Sequence, residues 1–359
     1  MGLRSMVVAP YESATDVDIN ASLEKRAGDR FEQVDLVTRR TLAVFGALSG
    51  RAGGVSIDTL RIPSIVYHGF LCLLYMTNLV VSLLVAWDKT EESIASIMMK
   101  TAIICWYTVG VSDSISGFII SHWKGGLPNY QEELSLAADE MEQCGIEIDH
   151  NRIRKFLSVT YQIGVAVSLA GVTIKVLDFT SVINIDAIYG ISLKDRIEDR
   201  DTLKVAQIFG LVVSVIMNFI STLGPLFLVQ TCQILRRLFL DFDRHLERLV
   251  TSSQTELQQK LPALRLVYCR LRELVQCANA WVSVFSAGIF LVSVVDCLVI
   301  IFVVAKTEKF VLADFIAYAY WVGYSAAILV TVITYADKMS REVSTICQWR
   351  SVSSTTRLI

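Results

Sequence analysis

At 359 residues, with 53% apolar side chains, only 19% charged ones and a mean hydropathy of +0.51, the chain is too apolar for a water-soluble protein of one or two domains. The formal net charge of −2 excludes a strongly basic nucleic-acid binder, and no Lys/Arg block interleaved with aromatics occurs. The solvent implied by this composition is the lipid bilayer.

Residues 1–62 form a polar segment with scattered charge (Glu24, Lys25, Arg26, Asp29, Arg30) and no apolar core of a secretory signal. Six stretches then read as membrane spans: about 63–87, 94–121, 156–182, 203–230, 280–305 and 311–335. Lys and Arg are dense before the first span, sparse after it, and dense again after the second and fourth. By that bias both termini lie in the cytoplasm. The fold class expected is an all-α membrane protein with six transmembrane helices and long cytoplasmic helical stems. Its parts are a cytoplasmic segment over 1–62, spans 1–4 over 63–230, a cytoplasmic hairpin over 231–279, spans 5–6 over 280–336, and a cytoplasmic tail over 337–359.

The stems follow from helical periodicity that does not stop at the lipid surface. Leu235, Leu238, Phe242, Leu246 and Leu249 extend the fourth span, and a polar linker is expected over 251–259. From Leu261 to Ala305 a single helix is expected, with Leu264, Val267, Leu271, Leu274, Val275 and Ala278 forming an apolar stripe before the span begins. The two stripes can zip as an antiparallel hairpin. Met339, Val343 and Ile346 mark a third stem. Three stripes exceed what one hairpin covers, which favours a cytoplasmic assembly between subunits over packing within one chain.

Eight cysteines fall in spans or on the cytoplasmic side, as suits a reducing interior, with no C-x-x-C or H-x-x-x-H pair. Neither metal nor other cofactor is expected. His68, His122, His150 and His245 are scattered without a nucleophile or paired acid, so an enzyme is not expected. Seven spans and an outside N-terminus would mark a G-protein-coupled receptor, and internal repeats a secondary transporter; neither pattern is present.

Charges inside the spans are the remaining clue to function. Lys100 can snorkel to the outer surface, and helix–helix hydrogen bonding accounts for Asp113 among Ser112, Ser114 and Ser116. Lys175 and Asp178, at i and i+3, can neutralise one another. Together with Asp296 and the aromatic run Tyr320, Trp321 and Tyr324 they also have the make-up of a small-molecule pocket in the outer half of the bundle. Pro225 should kink the fourth span.

The stem LRLVYCRLRELVQCANAWVSVF running into the fifth span, and the sixth span followed by ADKMSREV, give the region from Phe31 to Trp349 a resemblance to the insect gustatory and odorant receptor superfamily, gustatory branch. The resemblance implies a multi-pass plasma-membrane receptor, a subunit of a homo- or hetero-tetrameric ligand-gated cation channel. It implies a small-molecule tastant entering the outer half of each bundle. The family's seventh, pore-lining span, with Thr-Tyr, five apolar residues and Gln-Phe, has no counterpart: Thr334-Tyr335 leads into Ala-Asp-Lys-Met-Ser. The chain is then either a truncated receptor or a diverged one, and it is expected to carry no ligand-evoked current by itself. A non-conducting scaffold or partner subunit is the alternative.

Overall fold

The computed structural model describes residues 57–86, 94–122, 127–179, 200–252, 254–306 and 312–355. They form seven helices: α1 (Ile57–Ala86), α2 (Ile94–His122), α3 (Leu127–Gln143), α4 (His150–Phe179), α5 (Arg200–Ser252), α6 (Gln254–Lys306) and α7 (Leu312–Thr355). Among the described residues three stretches are long and apolar enough to cross a membrane: His150–Leu177, Ile208–Thr251 and Tyr318–Lys338. Ile65–Val80 and Ser286–Phe302 are shorter apolar helices.

The second stretch lies on α5, the axis of the bundle, where 61% of the most apolar window is covered by protein, against 22% on α4 and 11% on α7. Around it, α4 and α7 pack directly on α5, α6 joins α7 and α2, and α1 lies outside against α2. The outer surface is apolar: Leu73, Val205, Leu298 and Val330, from four different helices, are each more than 60% exposed. In the stems many exposed positions are instead charged, as at Arg244, Glu247, Arg248, Arg265, Arg272 and Glu273. One helix thus presents oil to its surroundings over one half and charge over the other, the pattern of a membrane protein whose helices protrude into water.

Below the bundle the stems of α5 and α6 run side by side, with Phe242 and Tyr268 in ring contact at 6.4 Å. Leu238, Phe242, Leu264, Leu271 and Leu274 are buried, and Leu246 is half-buried. The side chains of Val343 and Ile346 on α7 lie outside the described residues. Much of the α6 stem is covered by α3, an element that the pattern of apolar spans does not announce. Tyr130, Leu134, Ala137, Ala138 and Met141 recur at i, i+4, i+7, i+8 and i+11 and are all buried. Arg270 of α6 fastens the pair, its Nε donating to Glu140 at 3.0 Å and its Nη1 lying 3.7 Å from Glu133.

The end of α3 is written locally. Gly145, at φ 76°, takes the left-handed conformation, so that its N–H reaches Glu142 O at 2.9 Å and the Ile146 N–H reaches Met141 O at 2.9 Å. Ile146 and Met141, buried together, complete the cap. Asp149 then caps α4, its Oδ1 accepting the Arg152 N–H at 3.0 Å.

The expected polar linker over 251–259 is corrected: α5 reaches Ser252 and α6 already begins at Gln254. Its first turns are held by good helix formers and a Glu256–Lys260 pair at 2.9 Å, so Pro262 sits inside the helix rather than opening it. Lys100 is corrected as well. Its side chain is only 6% exposed, covered by protein rather than reaching outward.

Asp241, buried on the α5 stem, accepts the Asp149 N–H at 3.4 Å and Arg244 at 3.3 Å. Burial pushes its carboxyl above the ordinary value, against the pull of the Asp149 amide, Arg244 and Arg237, while the Asp149 carboxylate adds to the push. A carboxyl that holds its proton more tightly when folded adds stability at low pH, and that stability is lost as pH rises through the raised value. Asp241→Asn removes the titration and keeps an acceptor for Asp149. The melting temperature of the native protein should therefore fall relative to the variant as pH rises from 3.8. A difference that stays flat between about pH 4 and 7 would contradict this assignment.

Candidate functional site

The polar groups inside the bundle are mostly spent on holding helices together. Ser114 of α2 meets α1 twice, its carbonyl 3.2 Å from His68 Nε2 and its hydroxyl 3.2 Å from Cys72 Sγ. Tyr107 of α2 meets Ser214 of α5 at 3.0 Å, Asn218 of α5 donates to Ser168 O of α4 at 2.9 Å, and Gln230 donates to Leu157 O at 3.2 Å. In an apolar medium each such bond joins two helices at one register.

Among the described residues one place is different. Between α2, α5, α6 and α7 lies a partly open cavity with a volume of about 40 Å³, room for a few waters or a small polar head group. Its apolar wall is built from Met217 of α5, Ile289 and Val292 of α6, and Ile328 of α7. Trp106 and Tyr324 supply the aromatic part, and Ser221, Ser293 and Ser325 supply hydroxyls. Two carboxyl groups line it, Asp113 on α2 and Asp296 on α6. Neither has a hydrogen-bond or ion-pair partner among the described residues.

Two glycines lie near Asp113. Gly288 of α6 stands beside it, where a Cβ would make an ordinary contact 3.5 Å from Asp113 Oδ1. Gly110, one turn before Asp113, has no side chain, and the Met217 thioether occupies the place a Cβ would take. Pro225 lines the inner side of the same cavity while α5 continues through it.

Of the residues singled out in the sequence, Asp296 and Tyr324 line the cavity. Tyr324 also donates its O–H to Thr222 at 3.2 Å and stacks on Tyr320 at 6.1 Å and 11°. Tyr320 donates to Val167 O at 2.8 Å, tying α7 to α4. Lys175 is 2% exposed and donates to Ser214 O at 2.7 Å, with its ammonium 4.1 Å from the centre of the Trp106 ring and 5.7 Å from that of Trp321. Its partners are thus a carbonyl and two indoles; the side chain of Asp178, the neighbour expected to neutralise it, lies outside the described residues. Trp321 reaches the site through Trp106, edge-on at 6.1 Å, rather than by lining it.

Asp113 is a correction. The helix–helix hydrogen bonds expected of it are made by its neighbour Ser114, and Asp113 itself faces the cavity. Trp106 and Met217 belong to the site and had not been singled out; their spacing on α2 and α5 is that of any buried stripe. A signal was present in Asp113, since an intramembrane carboxylate is costly without a partner.

No family model and no curated protein matches this sequence. Solved structures do match its fold. The insect olfactory receptor OR5 from Machilis hrabei superposes with a TM-score of 0.62 over 91% of this chain and 83% of the receptor, at 11% identity. The same receptor in complex with eugenol gives 0.54 over 93% and 84%, at 14% identity. At these identities the likeness is one of fold: the chain is an all-helical membrane protein with the architecture of an insect olfactory receptor.

Proposed function

We propose that the protein is a chemosensory receptor of the plasma membrane, of the gustatory kind, that detects small molecules as a subunit of a ligand-gated cation channel. In this reading six spans place both termini in the cytoplasm, the paired stems form the cytoplasmic anchor, and the subunits assemble as a homo- or hetero-tetramer. The observation that carries the reading is the cavity between α2, α5, α6 and α7, with its aromatic and carboxylate lining, in a fold shared with a receptor solved with eugenol.

A ligand for that cavity binds the folded state alone, so at a hundred times its Kd it should raise the apparent stability by about 2.7 kcal/mol. The test is a thermal-shift screen of small aromatic and aliphatic compounds, eugenol included, on the detergent-purified protein and on Val292→Phe, which fills the cavity. Hits in the native protein that vanish in the variant support the reading; a broad panel without any such hit counts against it. Orientation is checked with epitope tags at the two ends, which should stain only after permeabilisation. An N-terminal tag that stains in intact cells would overturn the topology.

A further inference from the structure

We propose that the cavity selects a cation, and that its ligand is a small organic ammonium compound held by Asp113, with Asp296 adding to the negative field of the cavity and the ligand's apolar portion against Trp106 and Tyr324. This rests on the receptor reading above and deepens it by naming the ligand's chemistry.

A carboxylate in the apolar bundle carries a desolvation cost that protonation or a partner must offset. Several polar groups of the bundle have a partner: Lys175 has the Ser214 carbonyl, Asn218 the Ser168 carbonyl, and on the cavity wall Ser221 has the Asn218 carbonyl and Tyr324 the Thr222 hydroxyl. Asp113 is 7% exposed, lines the cavity, and has no partner among the described residues. Asp296 of α6 lines the same cavity, partly buried, and likewise has no hydrogen-bond or ion-pair partner among the described residues.

Among the described residues, the cations of the bundle do not supply a partner. Lys175 is turned into the Trp106 and Trp321 rings. Lys100 lies thirteen residues before Asp113, roughly 20 Å along the same helix. An external cation can supply one, and the wall decides its type. An inorganic ion favours a complete shell of oxygens; this wall holds three serine hydroxyls beside its carboxyls, but the larger part of it is indole, phenol, thioether and aliphatic carbon. Aromatic faces attract ammonium groups, and a carboxylate offers acceptors for several N–H donors. The space of about 40 Å³ fits the head group, and Met217, a flexible side chain against Gly110, is the part of the wall that can yield to a tail.

The experiment measures binding of 2-phenylethylamine, and of its neutral counterpart 2-phenylethanol, to the purified full chain by calorimetry and thermal shift. The amine should bind at least about tenfold more tightly than the alcohol, and Asp113→Asn and Asp296→Asn should each weaken it by about tenfold to a hundredfold. The loss should be larger for the amine than for the alcohol. Both variants are nearly isosteric and lie on different helices, and the amine-to-alcohol comparison needs no variant at all. Equal binding of the two probes, or amine binding indifferent to both substitutions, overturns the cation assignment while leaving the receptor reading intact. If neither probe binds but other compounds of the screen do, the assignment is likewise overturned. If no compound binds at all, the receptor reading falls with it. A third arm replaces N-methylglucamine by sodium at constant ionic strength. Sodium-dependent stabilisation lost in Asp113→Asn would mark an inorganic site and overturn the organic ligand.

Discussion

Leu271→Asp is expected to prevent the protein from accumulating as a folded species. Leu271 is fully buried on the α6 stem, on the stripe shared with Leu264, Val267 and Leu274 and covered by α3 and α5. A carboxylate placed there has no charge partner in the stripe and costs several kcal/mol, a large part of the roughly 5–15 kcal/mol that holds a domain together. The control is Leu266→Asp. Leu266 lies on the same stem but is 56% exposed, so its replacement should leave yield and melting temperature nearly unchanged. Fluorescence-detected size exclusion of tagged variants reads both. A monodisperse Leu271→Asp protein at native yield would show that the stem core is dispensable. The same assay reports whether the stripe matters within the chain or between subunits: loss of the larger species with a stable monomer would point to the interface.

Gly171→Val should be the most damaging single change inside the bundle. A Cβ on Gly171 of α4 would come within 2.6 Å of Asn218 Oδ1, 2.8 Å of its Nδ2 and 2.9 Å of the Tyr320 hydroxyl. Those two side chains hold α5 and α7 to α4 through the Ser168 and Val167 carbonyls. A branched side chain must push both away, leaving buried polar groups unpaired at about 1–3 kcal/mol each and adding a steric cost of similar size. The expected result is a large fall in thermal stability in detergent, with Gly171→Ala intermediate. Gly210→Ala on α5 has nothing within 4 Å of its new methyl and should be neutral or slightly stabilising, because alanine favours a helix over glycine by about 1 kcal/mol. If Gly171→Val melts with the native protein, the three-helix joint is not what fixes the register.

The sequence by itself determined that the chain is helical, that it has the apolar surface of a membrane protein, and that its helices run on past their apolar stretches. These follow from one-dimensional quantities: the length of an apolar run, the 3.6-residue period of a stripe, and the charge that opposes it. The same reasoning could have found α3. Its stripe of Tyr130, Leu134, Ala137, Ala138 and Met141 and its glycine cap are both in the sequence, but the many acidic residues between them gave it the composition of a loop. The start of α6 was misread for a similar local reason, since Pro262 has the look of a first helical residue while the Glu256–Lys260 turn ahead of it has the propensity to be helix already. Which polar groups meet was a different matter. Asp113 and Asp296 are 183 positions apart, and Lys175 finds its partners 39, 69 and 146 positions away, at Ser214, Trp106 and Trp321. A helix's period states which face is buried, but not the crossing angle, depth and rotation that bring one face against another. Those are set by side-chain packing across several helices at once, as at Gly171 and Gly110, where a missing Cβ lets a neighbour's atoms approach. Only the tertiary structure could therefore decide that Lys175 is matched within the bundle while Asp113 is left facing an open space.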